Sequence, residues 1–232
     1  MASSTLLLLA LTLISYELFE LLFRYSGRRL ILNPLIWSVA SIIAILALLH
    51  IPYATYFAAN KAIHLMLGPV TVALAVPFYE QREKVRQMFL PLTFSAIIGS
   101  LTGIISATGL MVALHQSHIL VLSLAAKSVT TPIAMAITEH IGGIPALTAS
   151  IVVVTGIFGA AIIPFLYRYL PGPFKVTSKA ASGFGLGMAA HGVGTAKAFE
   201  ENNEMGTFAG IAIGLNGLVT ALFVPVIMRL WG

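Results

Sequence analysis

The sequence predicts an all-α integral membrane protein, with about six spanning helices plus two broken or re-entrant segments that form an inverted repeat. Three observations predict it. The chain is 58% hydrophobic and only 9% charged, with a mean hydropathy of +0.96, whereas a soluble domain carries roughly a quarter charged residues. Its apolar runs are about 20 residues long and do not alternate, as helical rather than β-barrel spans require. A polar break also occurs twice inside apolar sequence. Residues 125–143 (AAKSVTTPIAMAITEHIGG) align without a gap to residues 189–207 (AAHGVGTAKAFEENNEMGT), at an offset of 64. Ala125 matches Ala189, Val129 matches Val193 and Thr131 matches Thr195.

The apolar runs fall at 4–23, 31–50, 61–79, 90–114, 143–167 and 207–228, with the broken segments at 118–140 and 180–204. The first run resembles a signal peptide in hydrophobicity only. It lacks a basic leading region and carries Glu17 and Glu20 where a small-residue cleavage site belongs, so it reads as a retained span. Asn33-Pro34 lies near the start of the second run. Gly68-Pro69 interrupts the third, and Pro77 lies near its end. Proline frees carbonyl groups and kinks a membrane helix. The whole of 1–232 reads as one membrane domain. Residues 1–114 supply the N-terminal spans, and 115–167 and 180–230 are repeat units, each with a broken segment and a span.

The net charge of +5 is not a nucleic-acid signal, because the thirteen Lys and Arg residues lie mostly in short clusters between spans. Arg24, Arg28 and Arg29 follow the first span. Arg82, Lys84 and Arg86 follow the third, and Arg168, Lys175 and Lys179 follow the fifth; Lys61 and Arg229 fall on the opposite side. If these clusters are cytoplasmic, the first broken segment enters and leaves from the outer face and the second from the cytoplasm. Two discontinuous helices that cross completely are the alternative. Both arrangements put the same polar residues near the midplane.

Thr131 followed by Pro132 is a helix-start signal, and Thr195 holds the matching place in the second break. A helix N-terminus at membrane depth offers unpaired N–H groups and partial positive charge to a carboxylate. Lys127 and His191 each stand four residues before these starts. Lys127 suits an anionic substrate, and His191 suits a hydrogen bond or a proton. Ser128, Thr130, Thr131 and Thr195 offer hydroxyls to a small hydroxy or keto acid, and Gly192 and Gly194 allow close backbone approach. A lone Lys or His in a span is often an interfacial or packing residue. Equivalent places in a repeat favour a binding role for this pair. Candidates for ion coupling are His191, Glu139 and Lys197. Glu139 and His140 otherwise read as a solvated hairpin base, and Lys197 as a partner of Glu200 or Glu201 on its own helix.

Nothing in the sequence points to an enzyme. There is no Walker loop, no HExxH and no GxSxG, and the glycines at 183, 185 and 187 follow no strand. Zero cysteines exclude disulfides and thiolate chemistry. No cofactor or metal is expected, beyond H+ or Na+ as a coupling ion.

The stretch Lys127-Ser128-Val129-Thr130-Thr131-Pro132-Ile133-Ala134 resembles the hallmark of the LrgB/CidB family. So do Gly142-Gly143-Ile144-Pro145-Ala146 and Ala190-His191-Gly192-Val193-Gly194-Thr195-Ala196. Further blocks run from Leu67-Gly68-Pro69 to Pro77, and at Asn33-Pro34. The resemblance covers nearly the whole chain in order. That family carries the label antiholin-like protein, from a link to murein hydrolase activity. Similar sequence forms the C-terminal half of the plastidal glycolate/glycerate transporter, and bacterial relatives are associated with pyruvate and related acids. The resemblance therefore implies a carrier of small monocarboxylates in the bacterial plasma membrane, moving by alternating access, with an antiholin-like pore or regulator of murein hydrolases as the rival. It also implies a separate small membrane partner of the LrgA/CidA type. Small residues on many spans suit a homodimer.

Overall fold

The computed structural model describes residues 2–27, 32–66, 69, 72–73, 75–169 and 176–231. Arg28, Arg29, Gly68 and Lys175 lie outside the described residues. Every regular element described is helical. Four helices are long and apolar enough to cross a membrane, over Thr5–Tyr25, Phe89–Ala113, Pro145–Tyr167 and Asn203–Leu230. The run at 31–50 forms a 15-residue helix, which spans about 22 Å against the roughly 30 Å of a bilayer core. The run at 61–79 is described as short helices, Lys61–Leu65 and Ala75–Glu80.

The chain divides into two compact units, residues 1–73 and 74–232. In the first, α1 (Ala2–Tyr25) packs on α2 (Pro34–Leu48) and α3 (Tyr53–Ala59), followed by α4 (Lys61–Leu65). Asn33 starts α2 because its Oδ1 accepts from Leu35 N at 3.0 Å, while Pro34, with no N–H to satisfy, fills the first turn. Leu8, Ile42, Leu46 and Ala59 form the small core. Thr12 donates to Asn60 Oδ1 at 2.8 Å and lies 2.9 Å from the Tyr56 hydroxyl, which joins α1 to the end of α3.

The second unit contains α5 (Ala75–Glu80), α6 (Arg82–Gln87), α7 (Phe89–Ala113), α8 (His118–Ala125), α9 (Thr131–His140), α10 (Pro145–Tyr169), α11 (Lys179–Glu201) and α12 (Asn203–Trp231). The chain folds back between α8 and α9. Ile144 N donates to Ser123 Oγ at 2.9 Å, and Thr148 Oγ1 donates to Ser123 O at 2.8 Å. Two helices running on in line would hold Ser123 and Ile144 far apart. His118, at the start of α8, and His140, at the end of α9, also line one cavity of about 240 Å³ with Arg229. Residues 118–140 are thus a re-entrant hairpin with its base beside the C-terminal end of α12.

Gly142 closes that base. Its φ is +85, a left-handed conformation that glycine adopts without strain. Gly142 N reaches Glu139 O and Gly143 N reaches Thr138 O at 2.9 Å, the paired bonds of a Schellman cap.

The second break is a hairpin too. His191 alone interrupts α11, with φ 39 and ψ −125, and Gly194 returns against the Leu186 carbonyl. A side chain at Gly183 would strike the Met205 backbone, and one at Gly187 the Ala209 backbone. The start of α12 therefore lies beside the start of α11. Glu204 pairs with Lys84 of α6, so this base lies at the end of the unit opposite Arg229. The two hairpins enter from opposite ends, as the inverted repeat requires. Helices α7, α10 and α12 run the full length between these ends. The apolar window of α12 is 44% buried, against 28% for α7 and 17% for α10, which makes α12 the central helix.

Lipid tails are as apolar as leucine, so close packing and internal hydrogen bonds hold such a bundle together. The first hairpin packs through Val121, Ala126, Val129 and Ala134 on Ile104 of α7, Val152 of α10 and Val224 of α12. The second packs through Phe184 on Leu92, Ala96 and Phe208.

Candidate functional site

Residues 126–130 form the tip of the first hairpin, and helix α9 resumes at Thr131 with Thr130 in the cap position. The cap is one residue earlier than the Thr-Pro signal predicts. Both threonines are competent caps, and Pro132, which is exposed, fits the second helical position as readily as the first. Thr130 is in extended conformation and its side chain makes no cap bond. In the second hairpin the helix resumes at Gly192, three residues before Thr195. A single residue in a glycine-like conformation, followed by an unhindered glycine, reverses the chain there without a loop. The two helix starts are thus not at matched positions. Lys127 keeps its place four residues before one start, while His191 adjoins the other.

Lys127 is half-buried in the tip of the first hairpin. Among the described residues no acidic side chain pairs with Lys127. His191 is 5% exposed. Its Nε2 lies 2.9 Å from Val152 O on α10. A carbonyl only accepts, so Nε2 carries the proton and Nδ1 is the free nitrogen. Gly156, one turn along α10, is the gap the imidazole fills: a Cβ there would lie 2.6 Å from His191 Cε1. Four residues after His191, Thr195 Oγ1 is buried with no hydrogen-bond partner among the described residues. Gly192 is open and exposed, whereas Gly194 is buried against Leu186 and serves hairpin closure. The Ser128 side chain lies over Gly103 of α7.

The other candidates lie away from the tips. Glu139 is exposed in the last turn of α9, beside His140. Lys197 pairs along its own helix with Glu200 at 3.3 Å and Glu201 at 3.9 Å.

Sequence reasoning missed Asn216. Its Nδ2 donates to Ser128 O at 2.6 Å and lies 3.4 Å from Met188 O, and its Oδ1 accepts from Ser100 at 2.6 Å and Thr220 at 3.2 Å. Asn216 is 1% exposed at the middle of α12. An asparagine inside an otherwise apolar run was the available signal.

The sequence profile of the LrgB-like family matches residues 12–230. The chain belongs to the LrgB-like family. Among relatives, the antiholin-like protein LrgB of Bacillus cereus (strain B4264) is 30% identical over 97% of this chain and 96% of its own length. The uncharacterized protein YwbG of Bacillus subtilis (strain 168) is 35% identical over 86% of this chain and 87% of its own. An uncharacterized protein of Haemophilus influenzae is 33% identical over 88% and 86%. No solved structure matches the chain. Family membership and the apolar helices together make this LrgB-like chain a multi-pass membrane protein.

Proposed function

We propose that this LrgB-like protein is a secondary carrier of small monocarboxylates, of the glycolate, glycerate and pyruvate type, in the bacterial plasma membrane. The observation that carries the proposal is Lys127, a half-buried ammonium at a hairpin tip, next in sequence to Ser128, whose carbonyl shares the Asn216 amide with Met188 of the other hairpin, and without a carboxylate partner among the described residues. A cation at that depth is costly unless something neutralises it. A substrate carboxylate would do so. The unpartnered Thr195 hydroxyl supplies a bond for the neighbouring hydroxyl or keto oxygen. Opposed hairpins also place a helix N-terminus close to each tip, an arrangement suited to anions. His191 Nδ1 is the group available to take a proton, and a sodium gradient is the other coupling to be tested.

A second reading rests on the antiholin-like name of the Bacillus cereus relative. In it the chain forms or regulates a pore that acts on murein hydrolases through assembly, with itself or with a small LrgA/CidA-type membrane protein. Uptake of labelled glycolate and pyruvate into proteoliposomes, with and without proton or sodium gradients, separates the two. A carrier saturates, shows competition between the acids and loses uptake in Lys127→Ala. A pore passes solute without saturation and is indifferent to that change.

A further inference from the structure

A primary carboxamide has two N–H donors and one oxygen with two lone pairs. Asn216 uses all of them, on its own helix and on three other parts of the fold. Its orientation follows from the partners: Ser128 O and Met188 O only accept, so the amide nitrogen must face them and the oxygen must face the Ser100 and Thr220 hydroxyls.

The two carbonyls have a common origin. Ser128 lies in the unwound tip between α8 and α9, and Met188 lies in the last turn before the interruption at His191. Carbonyls at the end of a helix lose their helical partners, and in a water-poor interior they must find others. One side chain thus satisfies a carbonyl from each hairpin. Lys127 immediately precedes Ser128, and His191 follows Met188 by three residues. Ser100 and Thr220, each 1% exposed, fix the carboxamide by engaging its oxygen. Gly99 and Gly103 of α7 lie against Met188 and Ser128, so the same α7 face holds both tips.

We infer that Asn216 is a positioning residue that ties the two hairpin tips to each other through α12 and so sets the separation of Lys127 and His191. Its consequence for transport rests on the carrier reading above. The tie itself does not.

The test uses the full chain in lipid vesicles. The protein has no cysteine, so Met135→Cys on α9 and Ala196→Cys on α11, both exposed, accept nitroxide labels without background. Asn216→Asp keeps the size and the oxygen acceptors but leaves at most one donor, the O–H of a protonated carboxyl, so the two tip carbonyls can no longer both be held. The expected result is a narrow distance distribution between the labels in the parent and a broader one in Asn216→Asp. In unlabelled protein, the KM for labelled glycolate rises by about tenfold while kcat changes less, as for lost positioning of a bound group. Ser100→Ala combined with Thr220→Val leaves both tip bonds available but frees the carboxamide oxygen. It gives a smaller broadening, and it carries the test if Asn216→Asp fails to insert. An unchanged distribution in whichever of these variants inserts overturns the tie, whatever happens to transport. Broadening in Asn216→Asp, with no saturable uptake by the parent, keeps the tie and removes the carrier reading. A loss of kcat with an unchanged distribution likewise overturns the tie, and gives Asn216 an effect on turnover that does not run through the separation of the tips.

Discussion

The two hairpins carry related sequence yet reverse the chain by different means. The first opens five residues, 126–130, and closes its base with a glycine cap at Gly142. The second turns at His191 alone, held at φ 39, and keeps its two arms and α12 together through glycines. The first therefore leaves unwound backbone that needs partners from elsewhere. The second concentrates strain in one residue, of order 1–3 kcal/mol for such a conformation, and offsets it by close packing. At the offset of 64, Gly183 corresponds to Ile119, which is 45% exposed. The same place in the repeat is crowded in one hairpin and open in the other.

The largest effect should come from making the second hairpin like the first. Gly183→Ile drives a side chain into the Met205 backbone and should cost about 3 kcal/mol or more. It is read as loss of monodisperse protein after extraction, while Ile119→Gly leaves the yield near that of the parent. Next comes the chemical difference between the tips. Lys127→Ala should reduce saturable uptake by about a hundredfold, because the charge is lost, and His191→Ala by about tenfold. Equal effects would show that the two tips are not specialised. A smaller effect is expected at Thr148, which joins α10 to Ser123 and Thr138 of the first hairpin. Thr148→Val should lower stability by about 1–2 kcal/mol in a melting experiment, with substrate affinity unchanged. The smallest lies at the base of the second hairpin. Lys84→Ala removes a partly exposed ion pair with Glu204, worth about 1 kcal/mol or less, and the difference from the parent should fade at high salt.

Much of this comparison was legible in the sequence. The paired breaks, their opposite orientation and the pairing of Lys197 with Glu200 and Glu201 follow from hydropathy, charge and helical spacing. The details that were not legible depend on contacts distant in sequence. The helix start at Thr131 was readable, but two adjacent threonines left its cap ambiguous by one residue. The reversal at His191 was hidden because histidine has no preference for that conformation. Asn216 was hidden because its partners lie 88 and 28 residues away, and only the folded hairpins bring them together.

The position of Asn216 along α12 has an electrical consequence. The helix starts at one hairpin's base and ends at the other's, and Asn216 stands about 20 Å from either end by helical rise. A charge held at the tips has therefore crossed about half of the membrane's voltage drop, about 1 kcal/mol per unit charge for every 100 mV. An anion arriving from either face would feel the same share of the field, so binding from the two faces would respond to voltage equally and with opposite sign.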